Sequence, residues 1–146
     1  MWIAAHGHYE FPHFVSAKPA PYAACTKYQY LCADQRLTRL FVLNTQDADD
    51  NLLAPIVGRK RVRMWAPQDF ERMYPNKLGS KGRTVQFQVN GDEPDFERHP
   101  LAKGLRCWEV TVEPGQMLFI PAFTIHQVTS LDACISLNVF FGDAGR

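Results

Sequence analysis

From Pro114 to Val128 the chain reads as turn, strand, stop and second strand within fifteen residues. Pro114 fixes φ and Gly115 accepts positive φ, which together make a tight turn. Met117 to Ile120 is an apolar run of strand length, and Pro121, without a backbone donor, ends its pairing. A second segment, Ile125 to Thr129, then carries His126 toward an interior. A chain punctuated this often has to bury its apolar residues by closing short strands on one another. A histidine beside such a run is by itself more often a hydrogen-bonded core residue than a metal ligand.

The same punctuation recurs through most of the chain. Trp2 to Ala4 and His8 to Phe14 are short candidate strands. Asn51 to Val57 ends at Gly58, and Lys60 to Trp65 alternates basic and apolar residues, so the two read as a β-hairpin bent at Gly58. Residues 67–74 predict one short amphipathic helix, with Phe70, Met73 and Tyr74 at i, i+3 and i+4. The polar, glycine-containing stretch Asn76 to Gly82 reads as a loop. Thr84 to Val89 reads as an edge strand, and Asn90-Gly91 and the prolines 94 and 100 mark turns. Trp108 to Val112 and Cys134 to Phe141 are further strands. The fold class this predicts is all-β, an antiparallel barrel or jelly roll with room for a site in its mouth.

Length fits a single domain across 1–146, and 46% apolar residues suffice for a core. No apolar run reaches membrane-spanning length, and Met1 to His6 lacks the basic start and apolar stretch of a signal peptide. The expectation is an intracellular protein, cytoplasmic or nuclear, without a membrane partner. Cys25, Cys32, Cys107 and Cys134 form no Cys-x-x-Cys pair and read as reduced thiols. A net charge of +1 argues neither for nor against a polyanionic partner.

Three pieces stand in a characteristic order: Asp50-Asn-Leu-Leu-Ala-Pro-Ile-Val-Gly-Arg-Lys-Arg-Val-Arg-Met-Trp, then Asp92-Glu-Pro-Asp-Phe-Glu-Arg-His-Pro, then Pro114-Gly-Gln-Met-Leu-Phe-Ile-Pro with His126 and Asn138. Together, over residues 47–143, they resemble the cupin-like JmjC hydroxylases, Fe(II)- and 2-oxoglutarate-dependent oxygenases built on a double-stranded β-helix. Within that family the resemblance is to the branch that hydroxylates a tRNA wybutosine base and to the asparaginyl hydroxylase acting on hypoxia-inducible factor. It implies an iron site made by a His-x-Asp pair and a distal histidine. His126 matches the distal ligand and Asp47 the carboxylate, while Thr45 stands where the first histidine of the pair belongs.

That histidine is present upstream. His13-Phe14 joined directly to Asp47 restores His-x-Asp, which makes residues 15–46 an insertion in the domain. Val15-Ser16 can be encoded by GTAAGT, a splice donor, Gln46 by CAG, an acceptor, and Leu37-Thr38 by a branch-point sequence. The segment therefore reads as a retained, in-frame intron, the other reading being a genuine loop insertion. It carries Lys18, Lys27, Arg36 and Arg39 against Asp34, so its removal turns the small positive balance negative.

By the resemblance, the metal ligands are His13, Asp47 and His126, an arrangement of two imidazoles and a carboxylate suited to non-haem Fe(II). Lys60 corresponds to the lysine that pairs with the distal carboxylate of 2-oxoglutarate, and Asn138 to an asparagine near the co-substrate. The implied activity is a dioxygenase hydroxylating a protein, tRNA-base or small-molecule substrate with O2; the alternative is a catalytically inactive cupin-like binding or scaffold module. Family members carry a longer N-terminal region and often C-terminal helices that dimerise. The chain thus reads as an N-terminally incomplete piece of a protein that forms a homodimer at full length.

Overall fold

The computed structural model describes residues 2–3, 27–33, 44–81 and 84–142, with side chains for 44–76 and 84–142. Eleven strands are found there: β1 Trp2–Ile3, β2 Lys27–Ala33, β3 Asn44–Asp47, β4 Asp50–Val57, β5 Lys60–Trp65, β6 Pro75–Lys81, β7 Thr84–Phe87, β8 Trp108–Val112, β9 Met117–Ile120, β10 Ile125–Ser130 and β11 Cys134–Phe141. They form two sheets, ordered β1-β9-β4-β11-β2 and β6-β7-β3-β10-β5-β8. All pairs are antiparallel except β1 with β9. No helix among the described residues is long and apolar enough to cross a membrane.

Alternation along the strands sorts side chains onto two faces of the second sheet. Val62, Met64 and Val112 face the first sheet and pack with Leu53, Leu118 and Ile120 in a core between the sheets. Trp65, Phe87 and Ile125 face the other way and form a second core with Met73, Val89 and Ala102. The excursion between β5 and β8 covers that face, and Phe70 meets Phe87 edge to face at 5.3 Å.

Asp92 ties this excursion down. Its Oδ1 accepts from Arg61 Nη2 at 2.5 Å and from Arg63 Nη1, and its Oδ2 accepts from Gln127 Nε2 at 2.9 Å. Gln127 Oε1 accepts the Gly91 amide at 2.8 Å, and Arg63 also donates to Gly91 O at 2.7 Å and to Glu109 at 2.6 Å. Arg61 and Arg63 are thus consumed inside the protein rather than presented as a basic surface. Arg63 and Asp92 are half-buried and multiply hydrogen-bonded, the setting in which an ion pair holds a loop in one place.

The structure departs from the sequence expectations at several points. Residues 51–57 and 60–65 do not form a hairpin: β4 pairs with β9 and β11, while β5 pairs with β10 and β8. Gly58 carries the chain from one sheet to the other, and glycine turn chemistry alone cannot distinguish that crossing from a hairpin. The short helix over 67–74 is realised as two 3-10 turns, Pro67–Asp69 and Glu71–Met73, ended by Tyr74 at φ 56°. Residues 76–81, expected as loop, belong to β6, because the open edge of β7 offers backbone partners to a polar segment as readily as to an apolar one.

Parts of segment 15–46 are built into both sheets. β2 pairs with β11 from Lys27 to Ala33, and Asn44 to Gln46 form most of β3, between β10 and β7. Asn44 is fully buried, its amide donating to Val89 O, and Gln46 donates to Phe123 O at 2.7 Å. The candidate strand His8 to Phe14, and His13 with it, lie outside the described residues.

Gly58 has φ +73°, and a Cβ there would stand 2.3 Å from Ala133 O. Gly58→Ala therefore combines left-handed strain with a backbone collision. We expect it to cost about 3 kcal/mol, seen as a lower urea midpoint at unchanged slope. A midpoint equal to that of the parent chain would contradict the crossing geometry.

Candidate metal centre

β3 and β10 lie side by side with Thr45 opposite His126, so these two side chains share the inward face. Asp47, two residues beyond Thr45, returns to the same face. His126 is 5% exposed, and its ring is set by its own turn: Nδ1 lies 2.9 Å from Thr124 O. A carbonyl only accepts, so Nδ1 carries a proton and the ring turns its Nε2 to the interior. That nitrogen faces Thr45 Oγ1 at 3.4 Å and Asp47 Oδ2 at 3.6 Å. The other Asp47 oxygen accepts from Thr84 Oγ1 at 2.7 Å, which fixes the carboxylate plane.

The turn between β9 and β10 is fastened to the same place. Phe123 N donates to Asp47 O at 2.7 Å, and Ala122 N donates to Asp50 Oδ1 at 2.7 Å. Together with the Gln46 amide these bonds hold Phe123 at φ 62°, a conformation a bulky residue adopts only when its surroundings impose it. Phe123 is itself 55% exposed.

An imidazole nitrogen and a carboxylate oxygen 3.6 Å apart are of the donor types found in iron and zinc sites. The third inward group is a threonine hydroxyl, neutral and a poor ligand. Among the described residues no group of three or more His, Cys, Asp or Glu side chains converges for a metal. The described residues therefore do not fit an iron held by two histidines and a carboxylate. The structure brings Asp47 and His126 within 3.6 Å of each other, and Thr45 stands beside His126. Thr84 and Thr124, which orient them, carried no signal in the sequence; Thr124 acts through its backbone, and Thr84 reaches Asp47 only through strand pairing.

Lys60 lies on the neighbouring strand β5, facing the same interior, four residues from the Met64 that pairs with His126, or roughly 13 Å along the strand. It is 4% exposed, and its Nζ donates to Ser130 Oγ at 2.7 Å. Burial pushes its pKa below the usual lysine value, and the Cys134 thiol pulls weakly the other way. On β11, Asn138 is 6% exposed; its Nδ2 donates to Asn51 Oδ1 at 3.4 Å and its Oδ1 has no partner among the described residues. Ser136 Oγ, fully buried on the same strand, is also unpartnered. Among the described residues Lys60 is thus a buried cation without a carboxylate partner, a group that an anionic ligand would compensate.

The charged lysine is a cost to the ligand-free fold. Its folded pKa is lowered, so between that value and the unfolded lysine value the unfolded chain binds more protons, and stability rises with pH across this window. Lys60→Met is expected to stabilise the ligand-free protein at neutral pH by roughly 1 kcal/mol and to abolish that rise, measured by urea unfolding between pH 7 and 10. A variant less stable than the parent would show that Lys60 already has a compensating partner.

The chain is similar in sequence to known proteins. The tRNA wybutosine-synthesizing protein 5 of Gallus gallus is 37% identical over 95 residues, covering 65% of this chain and 28% of its own length. HSPB1-associated protein 1 of Rattus norvegicus is 36% identical over 89 residues, 60% of this chain and 19% of its own. Among solved structures, E. coli ycfD superposes with a TM-score of 0.43 at 20% identity, over 70% of this chain and 22% of that one. The chain thus spans less than a third of the length of these relatives. Residues 38–145 match the family described as the cupin-like domain, and the chain belongs to that family.

Proposed function

We propose that this domain, in the form of the chain that carries Phe14 directly before Asp47, is an oxygenase using Fe(II), 2-oxoglutarate and O2 to hydroxylate a larger substrate. What supports this most is the pair Asp47 and His126, 3.6 Å apart on the inward face of a cupin-like barrel. In that form His13 falls two residues before Asp47 and completes two imidazoles and a carboxylate on one side of the metal. Lys60 would receive the distal carboxylate of the co-substrate as a charge-assisted hydrogen bond, and Asn138 would donate its amide to the same ligand.

The relatives' names point to a tRNA in one case and to a protein in the other, so a tRNA base and a protein side chain lead the substrate classes, with a small molecule as the third. The proposed setting is intracellular, cytoplasmic or nuclear, with no membrane partner and a homodimer at full length. Thr45 supports a second function for the chain as written: a catalytically inactive cupin-like binding or scaffold module that retains the anion-receiving interior without a three-donor metal face.

Sequencing the transcript tests the joined form: a species in which codon 14 meets codon 47 is expected, and reads running only through codons 15–46 would remove it. The joined chain is then expected to release CO2 from 2-oxoglutarate in an Fe(II)-dependent manner, with at least about a 100-fold loss on His126→Ala. A flat assay with folded, metal-loaded joined chain would leave the binding module as the function.

A further inference from the structure

We infer that the outward face of the second sheet carries a separate binding site, a preformed apolar pocket that takes one uncharged molecule the size of a single six-membered ring. The pocket is lined by Trp65 of β5 and by residues of the excursion that leads to β8, and its volume is about 120 Å³. Trp65, Met73 and Val89 are the buried part of the lining, and Pro94, Phe96 and Leu105 come from the stretch before β8. None of the described residues that line it carries a charged side chain. Trp65 pairs with Ile125 and faces outward with it, whereas His126 and Lys60 face inward, so the sheet itself separates this pocket from the Asp47 and His126 pair.

The walls are fastened apart. Trp65 lies against the main chain at Gly91, where a Cβ would stand 2.4 Å from its Cη2, so only glycine leaves the indole this place. Gly91 is anchored in turn by Arg63 to its carbonyl at 2.7 Å and by Gln127 to its amide at 2.8 Å. On the other side Arg72 donates to Leu101 O at 3.0 Å and to Lys103 O at 3.2 Å, and Tyr74 Oη accepts from Leu101 N at 3.2 Å. Ala102, which also lines the pocket, is therefore held through both of its neighbours. An apolar space that cannot collapse leaves dispersion contacts unmade, and an apolar guest supplies them; a cavity of about 150 Å³ with such walls admits benzene. Phe96, 44% exposed, and the exposed Cys107 mark the open side. Burial pushes the Cys107 thiol up and Arg63 pulls it the other way, so at neutral pH the mouth gains no charge from it, and a neutral guest is favoured over an ion.

The experiment follows the Trp65 indole N–H resonance of the full chain at neutral pH while benzene is added as the probe. A saturable shift is expected, with a Kd on the order of 1 mM. Benzoate, the same ring with one negative charge, is expected to bind at least about tenfold more weakly. Cys107→Leu fills the mouth and Phe96→Ala removes part of a wall; each is expected to weaken benzene binding by at least about fivefold. Both positions are exposed, so neither change opens or overfills the buried core, and the amide spectrum reports that the variants are folded. A folded parent chain with no saturable shift at Trp65 would overturn the inference. Unchanged benzene affinity in both folded variants, or benzoate binding as tightly as benzene, would do the same.

Discussion

The alternation of side chains along β10 is the constraint on which the rest of this domain depends. Ile125 and Gln127 face outward, one into the second core and the other onto Asp92 and Gly91. His126, Val128 and Ser130 face inward, toward Asp47, the central core and Lys60 in turn. A slip of one residue against β5 would exchange these two sets, placing a histidine in an aromatic core and an isoleucine beside a carboxylate. The register is guarded on the outward side by the Asp92 network, which engages Arg61, Arg63 and Gln127 from two paired strands. The inward chemistry is thus held in place by charges that never approach it.

The inward face itself is a compromise. A lysine, two asparagines and two serines are enclosed among Leu53, Val62 and Leu118, where apolar residues would pack better. Lys60 keeps one hydroxyl partner, and Asn138 satisfies its amide but not its oxygen. Polar groups left half-satisfied in a barrel are a stability cost that a bound polar ligand relieves.

Much of this was legible because strands announce themselves by period. Trp108–Val112 and Cys134–Phe141 have the bounds the alternation suggested, and β3 and β10 bring Asp47 and His126 within 3.6 Å of each other. What stayed hidden depends on partners distant in sequence. The basic alternation of Arg61 and Arg63 reads as a solvated strand face, and nothing local reveals that Asp92 takes both. Gly58 has the chemistry of a hairpin turn and instead joins two sheets, a difference that resides in which strands lie beside it. The segment Asn76 to Lys81 has a loop's composition and a strand's pairing because β7 stood open. His13 was found by motif alone and lies outside the described residues.

The bond from Gln46 to Phe123 O adds a side-chain link between β3 and the turn that joins β9 to β10. Where Phe14 precedes Asp47, that amide is replaced by a ring that can donate nothing, while the Phe123 N to Asp47 O bond, made by backbone alone, has no dependence on the neighbour's side chain. Phe123 then keeps its backbone bond to Asp47 and loses the one to its own carbonyl, while the Ala122 bond to Asp50 is unaffected. A change of one side chain next to Asp47 thus reaches past the donor set to the turn that delivers His126.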